Sequence, residues 1–138
     1  MKITLLLSLL LSVLVFEAGN TPFYVGVWKA HEAKTLQSLY ATQGITTEER
    51  LQLRDLDFSK LVYVVREDTF ATYTEDLMPE QLTFLPYKVA VLNDNTIETT
   101  HFDISQRADI KRTLTFEGDC YYVRVTQWHI KQYFCKVQ

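Results

Sequence analysis

From Leu61 to the C-terminus the chain is written almost wholly in β-forming residues. LVYVV (61–65), TFATYT (69–74), LTFLPYKVAVL (82–92), NTIETTHFD (95–103), IKRTLTFE (110–117), CYYVRVTQ (120–127) and HIKQYFCKV (129–137) are all rich in β-branched and aromatic side chains. Asp94-Asn95 and Gly118-Asp119 supply turn chemistry between them. Strands this short, each following its neighbour in sequence, build an up-and-down meander, and a meander protects its edges best by closing into a barrel. Pro86 has no N–H to give to a ladder, so the stretch around it must be an edge, a bulge or two segments.

Upstream of the strands the pattern differs. Phe23 to Lys29 alternates around Tyr24 and Val27 as a first strand would. Ala33, Leu36, Leu39 and Tyr40 then recur at helical spacing, and Gly44 stands where a helix end wants positive φ. Thr46 lies three residues before Glu49, the capping-box arrangement, and Leu51, Leu53 and Leu56 follow as the apolar side of a second helix. The expected fold is therefore mainly β: an antiparallel up-and-down barrel with two short helices after strand 1.

Cys120 and Cys135 are the only cysteines. In an exported chain such a pair is most simply a disulfide, and no CxxC motif points to redox work. If they pair, Tyr122 faces Tyr133, Arg124 faces Lys131 and Thr126 faces His129 across a turn at Gln127-Trp128. The opposite face then carries Tyr121, Val123, Val125, Ile130 and Phe134. One assumption yields a clean apolar side, which makes the bridge a cross-strand staple on the outward face. Its one discord is a like-charge pair, Arg124 with Lys131.

The first residues argue for export. Lys2 precedes an apolar run from Ile3 to Phe16, broken by Thr4, Ser8 and Ser12. The run is shorter than the ~20 apolar residues that span a bilayer, so 1–19 reads as a cleaved signal peptide, with a mature start between Gly19 and Thr21. Residues 20–138 then form a single domain, periplasmic or secreted, with no stable membrane insertion. The net charge is −3 and is unchanged by cleavage, since Lys2 and Glu17 cancel. A mildly acidic domain has no electrostatic reason to seek nucleic acid.

Gly26-Val27-Trp28 on the first strand, with Lys34-Thr35 shortly after, resembles the calycin superfamily of lipocalins and fatty-acid-binding proteins. It is closest in pattern to small exported bacterial lipocalin-like domains of a Gly-x-Trp-x-x-Asp-x-x-Lys-Thr type, with His31 in place of the Asp. The resemblance implies that Trp28 closes one end of the barrel and that an arginine from a late strand covers its indole. Arg124 is the candidate, but the staple register would put it outside, which leaves Arg112, on a face with Ile110, Leu114 and Phe116.

No catalytic signature accompanies this. His31, His101 and His129 lack the spacings of a metal site, and no nucleophile elbow, P-loop or dinucleotide fingerprint is present. The sequence points to non-catalytic binding without a cofactor, in one of two forms. A barrel lumen could hold a small hydrophobic molecule among Trp28, Phe70, Tyr73, Phe84, Tyr87, Arg112 and Arg124, unless its aromatic side chains fill it. Alternatively, Tyr122, Tyr133 and Trp128 could face a protein, as in an inhibitor or immunity protein against a secreted hydrolase.

Overall fold

In the computed structural model, which describes residues 20–54, 59–125 and 130–137, the alternating stretches become nine strands. Residues 1–19, expected to be a signal peptide, residues 55–58 with Leu56, residues 126–129, with the expected Thr126–His129 pair and Trp128, and Gln138 lie outside the described residues. In chain order the elements are β1 (Gly26–Ala30), α1 (Glu32–Ala41), α2 (Thr47–Arg54), β2 (Leu61–Val65), β3 (Thr69–Thr74), β4 (Leu85–Pro86), β5 (Lys88–Asn93), β6 (Thr96–Asp103), β7 (Ala108–Glu117), β8 (Cys120–Val125) and β9 (Ile130–Lys136). Every pairing is antiparallel, in the order β4-β3-β2-β1-β9-β8-β7-β6-β5. This is an up-and-down, calycin-like barrel, nearly closed, with the two helices inserted after strand 1.

Its closure turns on Pro86. β4 and β5 stand at opposite edges of the sheet order, yet only Tyr87 separates them in the chain, and the alternating directions make them run the same way. They are two pieces of one strand that trades β3 for β6 as partner. Counted as one, they leave eight strands in the ring, the size at which side chains just fill a barrel. Pro86 thus sits in a segment with only two residue pairs to β3, Thr69 with Pro86 and Phe70 with Leu85. Both an edge and a division into two segments are realised there. Tyr87 bolts the junction: its N–H donates to the Asp68 carbonyl at 3.0 Å, and its hydroxyl donates to the Arg66 carbonyl.

The other closure joins the first strand to the last. Trp28, Lys29 and Ala30 of β1 pair with Lys136, Cys135 and Phe134 of β9. Where β1 ends, α1 takes its place along β9. The Thr35 hydroxyl donates to the His31 carbonyl at 2.9 Å and accepts from the Tyr133 N–H at 3.0 Å, while the Ser38 hydroxyl accepts from Lys131 N–H at 2.9 Å. Two helix hydroxyls thereby satisfy edge donors that would otherwise be left unpaired. His31 is the N-cap of α1: its Nδ1 accepts from Lys34 N–H at 3.2 Å, as an aspartate carboxylate does at such a position.

Capping and register follow the sequence closely. Thr46 N–H donates to the Glu49 carboxylate at 2.9 Å and Glu49 N–H to the Thr46 hydroxyl at 3.1 Å, both halves of a capping box. Gly44, just past α1, has φ of 83°. Cys120 and Cys135 are bonded and directly opposite, with Tyr122 on Tyr133 and Arg124 on Lys131. The first strand is shorter than the alternation implies: Pro22 to Val25 form a turn closed by a Val25 N–H to Pro22 carbonyl bond of 3.0 Å, and the strand starts at Gly26. In the second helix Leu53 is buried, whereas Leu51 is exposed.

Two apolar clusters result. Trp28, Ala30, Tyr121 and Phe134 form one inside the barrel; Leu39, Leu53 and Ile130 form the other, where the helices close over the strand ends with Leu36, Ile45 and Val125.

Candidate functional site

The inward side chains of β2, β3 and β6 to β9 leave a cavity of about 80 Å³ in the lumen. Its walls are mostly apolar, with Val65, Phe70, Ile97, Leu114, Val123 and Phe134 among them, and its polar groups are Tyr24, Tyr63, Tyr87, Thr99, His101, Arg112, Tyr121 and Gln132. Drug-sized ligands occupy roughly 300–1,000 Å³, so most of this interior is filled by side chains. Groups from opposite walls meet across it. β2 and β7 are separated by three strands (β1, β9 and β8) in the sheet order, yet Arg112 Nη1 donates to the Tyr63 hydroxyl at 3.0 Å. Phe70 of β3 lies edge-on to Tyr87 at 5.8 Å and to His101 of β6 at 5.1 Å.

Arg112 is the one lining residue that is exposed, which sets the mouth of the cavity beside its guanidinium. It has no carboxylate partner among the described residues. Burial, and then the Arg112 charge, hold the His101 pKa below its ordinary value, against an opposing pull from Asp103. Burial likewise drives the phenols of Tyr87 and Tyr121 upward, with the neighbouring Tyr24 and the acids Asp68 and Glu67 adding to it at Tyr87, and Tyr63 at Tyr121. At neutral pH the lumen therefore presents a neutral imidazole and the neutral phenols of Tyr87 and Tyr121 beside the Arg112 guanidinium.

Trp28 lies at one end of this interior without lining the cavity. It is 2 % exposed, edge-on to Phe116 at 5.5 Å and to Tyr121 at 5.1 Å. Its Nε1 donates to the Tyr24 carbonyl at 3.1 Å, so the Pro22–Val25 turn folds across the ring, and Phe23 packs on Phe116 at 5.0 Å. Gly26 has φ of 154°, a backbone that L side chains rarely adopt. The glycine of Gly-x-Trp thus serves the entry from that turn into β1.

The cation over the indole is not an arginine. Lys136, the β9 residue opposite Trp28, stands 5.6 Å from the ring. Arg112 is held in the lumen by Tyr63, and Arg124 is outside, 5.7 Å from the Tyr122 ring. Of the residues expected around a ligand, the fold brings Phe70, Tyr87 and Arg112 together. Tyr73 shares its side of β3 with Ala71, opposite to the side of Phe70, and Phe84 lies beneath the Arg66 guanidinium at 3.6 Å. Neither lines the cavity, nor does Arg124. Tyr63, His101 and Gln132 line it without having been singled out; period-two counting from Val65, Ile97 and Phe134 would have placed all three inside.

Among the described residues no group of histidine, cysteine or acidic side chains could hold a metal ion, and no helix is long and apolar enough to cross a membrane. No protein-family model, curated protein or solved structure matches the chain.

Proposed function

We propose that this is an exported, non-catalytic binding protein of lipocalin-like character, which holds a small hydrophobic ligand with an anionic end in its barrel. The observation that carries this reading is the pairing of an apolar lumen with one exposed guanidinium, Arg112, that has no acid to neutralise it among the described residues. A carboxylate or similar head would dock on Arg112 and the Tyr63 hydroxyl, and a short apolar tail would run toward Leu114 and Phe134. The small cavity limits the tail to a few carbons unless Phe70 or Tyr63 swings aside. Export is supported by the apolar N-terminal run and by the Cys120–Cys135 bond, which persists in oxidising compartments.

Native mass spectrometry of the protein purified from its own host tests the reading. A low-mass adduct that is lost in Leu114→Trp, a variant that fills the lumen, is the expected result; absence of any adduct in the unaltered protein overturns it. A second reading, in which the partner is an extracytoplasmic protein, rests on the adjoining outer-face rings of Tyr122 and Tyr133, 5.5 Å apart. A bound polypeptide in the same spectrum would favour it.

A further inference from the structure

A second concave site lies outside the barrel, between α1 and the outer face of β8 and β9. Its volume is about 440 Å³, within the range of ligand pockets. Lys34, Ser38 and Ala41 fall on one side of α1 at helical spacing and face Arg124, Lys131 and Tyr133 of the sheet. The two hydroxyl bonds from α1 to the edge of β9 fix this geometry.

Three cations converge here, with no acid among the residues that line the groove. Elsewhere on the molecule three lysines find carboxylates, Lys29 with Glu75 at 2.8 Å, Lys60 with Asp76 at 3.1 Å and Lys111 with Glu98 at 3.9 Å, and the other unpaired cations do not gather around a hollow as these three do. Lys34, Arg124 and Lys131 have none among the described residues, and each lies near an aromatic ring. Lys34 is 5.6 Å from the Tyr133 ring, Lys131 4.4 Å and Arg124 5.7 Å from that of Tyr122. Glu117, the acid that acts on Tyr133, faces its hydroxyl. Arg124 and Lys131 are moreover direct cross-strand partners, an arrangement that destabilises a sheet. A chain of net charge −3 keeps three unneutralised cations around one hollow at a cost to its own stability.

We propose that this groove is an anion-binding site for a small molecule bearing a phosphate or sulfate ester. Arg124 offers its fork of N–H donors to the ester oxygens, Lys34 and Lys131 supply point charges from the helix and the sheet, and Gln37 and Ser38 add polar contacts. The organic part lies against Tyr133 and Ala41, in space that a free inorganic ion would leave empty. The site is separate from the lumen and does not depend on how the barrel is used.

The test is an NMR titration of the mature chain at low ionic strength with phenyl phosphate and, in parallel, phenyl sulfate, the two arms separating a dianionic from a monoanionic preference. Saturable shifts centred on α1 and on Arg124, Lys131 and Tyr133, with a dissociation constant of about 1 mM or tighter for one of the two, are expected. Arg124→Gln should weaken binding about tenfold or more, the effect of one lost charge-assisted contact, and Lys111→Gln, on β7 and lining neither cavity, should leave it unchanged. Lys131→Glu should abolish binding while raising the unfolding midpoint, because it replaces a like-charge pair by an opposite one; that rise shows the variant is folded. Absence of saturable shifts with both esters, or undiminished binding in Arg124→Gln and Lys131→Glu, overturns the proposal.

Discussion

Where β1 meets β9, the barrel is fastened by three residue pairs, by helix hydroxyls that continue the edge, by backbone bonds from His31 to Tyr133 and from Val137 to Val27, and by a disulfide one strand away. Where β3 meets the Leu85–Asn93 strand, two residue pairs and the two bonds of Tyr87 do the same work. Both contacts close the same ring, but one is backed by the buried Trp28 cluster and the other by Phe70, Tyr87 and His101 around a residual cavity. The lesson is that a closed barrel need not be uniformly closed. The strand that contains Pro86 is the one that can part, and it borders the lumen, so any ligand larger than the present cavity would gain its room on that side.

The largest effect should come from the strong side. Trp28→Ala removes the indole from between Phe116 and Tyr121 and should cost about 3–5 kcal/mol, measured by denaturant unfolding; a loss under about 1 kcal/mol would mean the ring is not a core element. Next, Cys120→Ser with Cys135→Ser releases a loop with a sequence separation of 15 and should cost roughly 3 kcal/mol, with the β1–β9 pairing kept. Tyr87→Phe comes third. It deletes one hydrogen bond at the weak closure, about 1 kcal/mol, yet should increase amide exchange at Tyr87 far more than at β1 or β9.

The smallest effect is in pH. His101 has a native pKa held below its ordinary 6.5, so the unfolded chain takes up a proton that the native barrel refuses. Stability should therefore be unaffected above pH 6.5, fall as the pH drops through 6.5, and level off below the native pKa. His101→Gln should flatten that decline. Asp76 and Asp103, lowered from 3.8 by hydrogen bonds first from Lys60 and from Ser105 respectively, lose their contribution only below that value, so the two windows separate.

Much of this architecture was legible in the chain. β2 and β3 coincide with LVYVV and TFATYT because enrichment in β-branched and aromatic residues is a local signal. The capping box needs only Thr46 and Glu49, and the β8–β9 register follows from two cysteines that can bond only when opposite. What was not legible depends on how the sheet curls. Lys136 covers Trp28 because β1 and β9 meet with those residues paired, a register no local pattern contains. The Arg112–Tyr63 bond across the lumen joins residues 49 apart in sequence, and the Lys34, Arg124 and Lys131 groove needs the path of α1 along β9. Pro86 signalled an interruption; that the interruption would be the barrel's closing seam came from topology alone.

Native-state hydrogen exchange on the mature chain, read residue by residue, measures the asymmetry most directly. The amides of His31, Tyr133 and Val137 should exchange only with global unfolding, while that of Tyr87, bonded across the other closure, exchanges through a smaller local opening. Equal protection at both closures, or earlier opening at β1–β9, would contradict a barrel fastened on one side and latched on the other.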